Sequence, residues 1–211
     1  MYDLNKKIIF THPPKCGGTS IEEMLGFLKL REKYPQVHKF KHGSLKMHVD
    51  KIKTFGLDPG EFFKFSVIRN PWDRAVSFYN HTRHKEYEYF LKRADQFKMP
   101  KYVKDSKQMT FKEFAFKYFK KNFNSELTTN PYMVLEDTFS LDCVIKLENL
   151  KEEFSLIKDK LQFTSEIDVP HLNNSEKYIV RKDYKDFYDE ETKNLIYNLF
   201  EWDIKTFKYT Y

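Results

Sequence analysis

Residues 6–20 read Lys6-Lys7-Ile8-Ile9-Phe10-Thr11-His12-Pro13-Pro14-Lys15-Cys16-Gly17-Gly18-Thr19-Ser20. The β-branched Ile8, Ile9 and Thr11, with Phe10, make residues 6–11 (KKIIFT) a short strand candidate. His12-Pro13-Pro14 stops it, since proline brings no amide donor to a ladder. Gly17-Gly18 signals a turn. Beyond it, Ile21, Met24, Leu25 and Leu28 fall at i, i+3, i+4 and i+7, the period of a helix. Thr19 with Glu22, or Ser20 with Glu23, has capping-box spacing. The order is strand, tight loop, helix.

The same order returns further on. Residues 62–68 (FFKFSVI) form a second strand candidate. Asn70-Pro71 follows, with Asn70 suited to the N-cap and Pro71 to the first helical position. Trp72, Ala75, Val76 and Tyr79 then repeat at helical spacing. Residues 143–147 (CVIKL) make a third strand, followed by a helix with Leu150, Phe154, Ile157 and Leu161 on one face. Residues 110–123 predict a helix that opens with Thr110-x-x-Glu113, and a last helix begins near Asp189 and carries Leu195, Ile196, Leu199 and Phe200. Residues 34–42 have room for one more short strand. Strands alternating with helices predict an α/β fold with a central, mainly parallel sheet flanked by helices.

A chain of 211 residues suits one domain, and no linker rich in Gly, Ser or Pro divides it. Disorder is excluded by 21 Phe and 14 Tyr, and collagen-like or low-complexity classes by 6 Gly and 8 Pro. No apolar run approaches the ~18 residues that would span a bilayer. The first residues lack the apolar core of a signal peptide. Two cysteines without a CxxC form neither a disulfide framework nor a zinc ribbon, so a reducing, cytoplasmic setting is the simplest expectation. The formal net charge of +6 suits an anionic ligand without naming it.

Residues 14–20 sit where strand gives way to helix. Two glycines let the backbone wrap closely round an anion. Thr19 and Ser20 add hydroxyl donors, and Lys15 adds a charge. The loop is not a Walker A motif, because Lys15 precedes the glycines instead of following them. Arg69 ends the second strand and emerges at the sheet edge where ligands of parallel sheets gather. On a helical wheel Asn70, Arg74 and Ser77 share one polar stripe. Each segment also has a bland reading: a capped turn with a solvated lysine, and an ordinary amphipathic helix.

Together these residues resemble the sulfotransferases that use 3′-phosphoadenosine-5′-phosphosulfate (PAPS), in particular the carbohydrate sulfotransferase branch. Residues 10–20 resemble that family's 5′-phosphosulfate loop, and residues 65–79 (FSVIRNPWDRAVSFY) resemble its 3′-phosphate segment. Lys41-His42-Gly43-Ser44-Leu45-Lys46 resembles the segment that carries a family histidine. Residues 144–154, 170–175 and 184–188, and the final helix ending Phe207-Lys208-Tyr209, extend the likeness, which fades at about 85–130. Cys16 stands where the family often has a hydroxyl or small residue, and its backbone N–H still serves.

The resemblance implies a P-loop-like three-layer fold over residues 1–211 as one domain, with a variable acceptor-side helical segment at about 85–130. It implies transfer of a sulfuryl group from PAPS to a hydroxyl acceptor, a carbohydrate or glycan, with 3′-phosphoadenosine 5′-phosphate as product and no metal. Lys15 would stabilise the leaving phosphate. Cys16, Gly17, Gly18, Thr19 and Ser20 would hold the 5′-phosphosulfate with Lys15, and Arg69 and Ser77 the 3′-phosphate. His42 is the first choice of base and His48 the second, since imidazole titrates near neutral pH. His171 has two readings, a member of the site through the C-terminal loop or a residue that only pins that loop. Two other readings remain: a P-loop-like nucleotide kinase or NTPase, and a non-catalytic polyanion-binding module.

The third reading rests on residues 85–121, with 11 Lys or Arg against 5 Asp or Glu. Tyr87, Tyr89, Phe90, Phe97 and Tyr102 are interleaved, a pattern suited to an acidic saccharide or to single-stranded nucleic acid, and equally to a lysine-rich solvated face. No nucleic acid, membrane segment or metal is expected as partner. His81-x-x-His84 has metal-compatible spacing but lacks a third ligand, and Glu148 reads as structural.

Overall fold

The computed structural model describes residues 1–27, 41–96, 98–120, 128–163 and 183–211. The chain builds two compact units, each from two segments: Met1–Arg69 with Thr129–Asn173, and Asn70–Thr128 with Asn174–Tyr211.

The first unit holds a four-stranded sheet. Strand β1 (Tyr2–Asp3) lies antiparallel to β2 (Ile8–Thr11). β2 runs parallel to β3 (Phe63–Ile68), with Ile8 opposite Phe63 and Thr11 opposite Ser66. A short hairpin, β4 (Val134–Leu135) with β5 (Thr138–Phe139), precedes β6 (Cys143–Lys146), which runs parallel to β3. The three strands read from periodicity are therefore the three parallel ones.

Alternation along the strands sends successive side chains to opposite faces. Ile8, Phe10, Phe65, Val67 and Ile145 pack with Ile21 of helix α1 (Gly18–Met24). They also meet Leu150, Phe154 and Ile157, which lie on a later helix (Leu150–Ile157). Ile9 faces the other way and packs with Leu45, Val49 and Ile52 of α2 (Leu45–Lys53). The sheet thus has helices on both faces, and its fold is mixed α/β with a mostly parallel sheet. The residue 34–42 strand reading lies mostly outside the described residues.

The second unit is helical in its described residues. Helix α3 (Pro71–His81) opens as its sequence predicts: the Asn70 side chain accepts from the amides of Trp72 and Asp73. After a π-helical stretch at Thr82–Glu86 come α4 (Tyr87–Leu91), α5 (Lys101–Gln108) and α6 (Phe111–Phe114). Thr110 and Glu113 form the predicted capping box. The helix expected over 110–123 departs from α geometry at Ala115–Phe119, a π-helical stretch, and its last residues lie outside those described. The helix Leu150–Ile157 of the first unit is α7, and the last two are α8 (Glu190–Leu199), capped by Asp189, and α9 (Glu201–Phe207). Trp72, Tyr79, Phe114 and Phe119 pack with Ile196, Phe200 and Ile204 in one core.

Arg74 does not belong to a solvated stripe. It is 1% exposed, and its Nη1 lies 3.8 Å from Oδ1 of the buried Asp203 on α9. Asp203, in the first turn of α9, is 2% exposed, so a carboxylate lies in the core and the arginine turns inward to meet it.

Candidate active site

The three parallel strands end on the same edge, and the loop after β2 closes over that edge. Lys15 and Gly17 both take left-handed backbone, at φ 67° and 74°. The loop tightens through a bond from the Cys16 amide to the Pro13 carbonyl at 3.4 Å. Cys16 is fully buried, with its Sγ 3.7 Å from the Pro14 carbonyl oxygen. Helix α1 then starts at Gly18, two residues earlier than a Thr19 cap would allow. Gly17 occupies the N-cap without a side-chain hydrogen bond, so neither capping box read from the sequence forms. That releases Thr19 and Ser20 from cap duty inside the first turn.

Both glycines are required by close approach. A Cβ on Gly17 would stand 2.5 Å from Cδ1 of Leu147, which follows β6. A Cβ on Gly18 would stand 1.8 Å from the His12 ring. The turn is therefore clasped by the end of one strand and by the histidine that leaves another.

Arg69 leaves the end of β3, and its Nη1 donates to the Lys15 carbonyl at 3.4 Å. This links the ends of β2 and β3. His42 is exposed, and its Nδ1 lies 2.9 Å from the His12 carbonyl oxygen. A carbonyl only accepts, so Nδ1 carries a proton, and in the neutral ring Nε2 keeps the lone pair. Lys15, Arg69 and His42 are thus tied to the one loop.

Sequence reasoning missed the group beneath that loop. Glu22, fully buried on α1, receives the His12 Nδ1–H at 2.8 Å. Its other oxygen lies 3.5 Å from Lys41 Nζ, which donates to Thr19 Oγ1 at 3.3 Å. His12 is 3% exposed, and burial lowers its pKa to about 4 against the raising effect of the Glu22 bond. The His12 and His42 rings lie 4.7 Å apart. The spacing of His12 and Glu22 fits no local motif, so only the cost of burying a carboxylate beside the loop hinted at a partner.

His48 is a correction. It lies on α2 with no exposed surface, its Nε2 is 2.9 Å from the Met1 amino nitrogen, and its ring meets Tyr2. Burial, then the neighbouring amino group, holds its pKa well below the ordinary imidazole value. A ring sealed in this way does not receive a proton from a bound acceptor, so the structure removes it from the candidate bases.

Ser77 lies half-buried on α3 in the second unit. His171 lies outside the described residues. Glu148 stands in the turn after β6. His81 Nε2 lies 3.6 Å from Glu86 Oε1, and no cluster of three His, Cys, Asp or Glu suited to a metal occurs among the described residues. No helix among them is long and apolar enough to cross a membrane.

The basic segment is organised by its own cations. Lys107 sits over Tyr87 at 5.0 Å and Arg93 over Tyr89 at 4.3 Å. Tyr87, Phe90 and Leu91 line a groove of about 520 Å³ with Lys98, Lys104 and Lys107. Phe97 lies outside the described residues.

Nothing among curated proteins or solved structures matches the chain. A family model described as "Sulfotransferase family" does, over residues 1–210, and the mixed α/β fold with its mostly parallel sheet is in keeping with it. The chain belongs to the sulfotransferase family, whose members transfer sulfuryl groups to hydroxyl-bearing acceptors.

Proposed function

We propose that this protein moves a sulfuryl group from PAPS to a hydroxyl on a carbohydrate. One observation carries the reading: the guanidinium of Arg69 reaches the backbone of Lys15, joining two strand ends round one left-handed loop. The residues gathered there fit a doubly phosphorylated anion. They are the cations Lys15, Lys41 and Arg69, the hydroxyls of Thr19 and Ser20, and loop amides. The buried carboxylate beneath them is already engaged by His12 and Lys41.

PAPS, when bound, supplies the activated sulfuryl group. The chain must offset charge gathering on the leaving oxygen, remove the acceptor proton and hold both oxygens in line. Lys15 takes the first role. The amides of Cys16, Gly17 and Gly18 and the hydroxyls of Thr19 and Ser20 hold the 5′ end, while Arg69 holds the 3′-phosphate. His42 removes the proton through Nε2. The two thiols, free of any disulfide, suit a reducing compartment, and the cytoplasm is the proposed location.

Titration calorimetry with 3′-phosphoadenosine 5′-phosphate against ADP tests the donor. Tight binding without added metal, weakened about tenfold or more in Lys15→Ala and Arg69→Ala, is expected. Preference for ADP with Mg²⁺ overturns the reading in favour of a nucleotide kinase. A screen of hydroxyl acceptors with radiolabelled donor tests the carbohydrate assignment, which a preference for non-sugar hydroxyls would remove.

A further inference from the structure

Three of the groups around the loop, His42, Lys41 and Thr19, are tied directly or in turn to two buried residues, His12 and Glu22. His12 presents its carbonyl to His42 Nδ1 and its own Nδ1–H to Glu22. Glu22 presents its second oxygen to Lys41, and Lys41 reaches the Thr19 hydroxyl in the first turn of α1. The His12 ring also fills the space over Gly18. We infer that His12 and Glu22 are positioning residues for sulfuryl transfer: together they hold His42 in the tautomer with Nε2 basic and hold Lys41 at Thr19.

The chemistry follows from donor and acceptor roles. A carboxylate accepts, so Nδ1 of His12 carries its proton. That bond fixes the ring, and the ring fixes the backbone from which the His12 carbonyl projects. The carbonyl in turn requires the proton of His42 on Nδ1. Without it, either nitrogen of His42 can carry the proton, and the form with Nε2 protonated cannot accept one from a hydroxyl. Glu22 is the anchor, because a buried carboxylate tolerates few geometries once two donors are set on it. The inference rests on the proposed role of His42 as base, but its first test does not.

Wild-type protein labelled with ¹⁵N-histidine reports the tautomer by long-range proton–nitrogen correlation. The expected pattern has a protonated Nδ1 and a bare Nε2 for His42, and a protonated Nδ1 for His12. A His42 ring protonated on Nε2 alone overturns the inference, whether or not the protein transfers sulfate.

Kinetics of variants supply the second test. Glu22→Gln is expected to lower kcat about tenfold or more while the affinity for 3′-phosphoadenosine 5′-phosphate changes less than about threefold. His12→Phe should lose kcat similarly. His12→Asn, which can place an amide N–H where Nδ1 now lies, should recover most of that loss. An unchanged kcat in Glu22→Gln, or an Asn variant no better than Phe, overturns the inference. If the variants do not fold, the wild-type spectrum still decides it. If His42→Ala leaves turnover intact, the base assignment fails separately.

Discussion

The imidazole of His12 occupies the space that a side chain on Gly18 would need, with 1.8 Å between its Cδ2 and a Cβ built there. Gly18 opens helix α1, where alanine would ordinarily be the better residue. Steric overlap should therefore reverse the usual sign. The ring is pinned by Glu22 and cannot step aside cheaply. Gly18→Ala is expected to destabilise the fold by about 3 kcal/mol, as overpacking of a closed site does. Urea denaturation measures it, and an unmoved midpoint would contradict the packing described.

His42 is exposed, and its Nδ1 is bonded to the His12 carbonyl of the loop. His42→Ala should keep the affinity for 3′-phosphoadenosine 5′-phosphate and lose transfer by ~10²-fold or more. Calorimetry and a single-turnover assay read the two quantities apart. Turnover at the wild-type rate would take the proton-accepting role away from this side chain.

Acid should weaken the folded state in a defined window. Burial lowers the pKa of His12 to about 4, and burial also lowers that of His48. In the unfolded chain both rings titrate near the ordinary value of about 6.5. Between these limits the unfolded state binds more protons than the native state, so stability falls as pH falls. It is fully present above about pH 6.5 and is lost as pH drops toward about 4, at a cost of roughly 3 kcal/mol from His12 alone. Urea midpoints measured across that range should slope accordingly, and more gently in His12→Asn. Equal slopes in the two proteins would show that His12 is not a source of the effect.

Arg74 and Asp203 share the core of the second unit, 1% and 2% exposed. Removing one charge leaves the other buried. Arg74→Leu should cost about 3–5 kcal/mol, and the double variant with Asp203→Leu should regain much of it. Thermal and urea unfolding of the four proteins of the cycle check this. Simple additivity would mean that the two groups do not interact.

The elements legible in the sequence were those with strong local signals. Ile8-Ile9-Phe10 and residues 62–68 announce strands, and Asn70-Pro71, Thr110 with Glu113, and Asp189 announce helix starts that the structure keeps. Helix α2 carries a local signal too, with Ser44 at its cap and Leu45, Val49 and Ile52 on one face. The site was legible where chemistry is local: Lys15 and the glycines sit in one turn. It was not legible where partners meet through folding. Glu22 looked like half of a capping box, and Arg74 like a surface charge. Their real partners, His12 and Asp203, are set by packing that no window of sequence contains. His48 shows the reverse error, since a histidine near the matching one carries no mark of being sealed inside.

The thiol of Cys16 is fully buried within the loop, whereas Cys143, at the start of β6, is half-buried with its pKa raised by burial. An alkylating reagent can meet the Cys16 sulfur only when the turn comes undone. Its modification rate is thus a clock for breathing of that turn, with Cys143 keeping time as an internal standard. Donor nucleotide should slow the first clock and leave the second running.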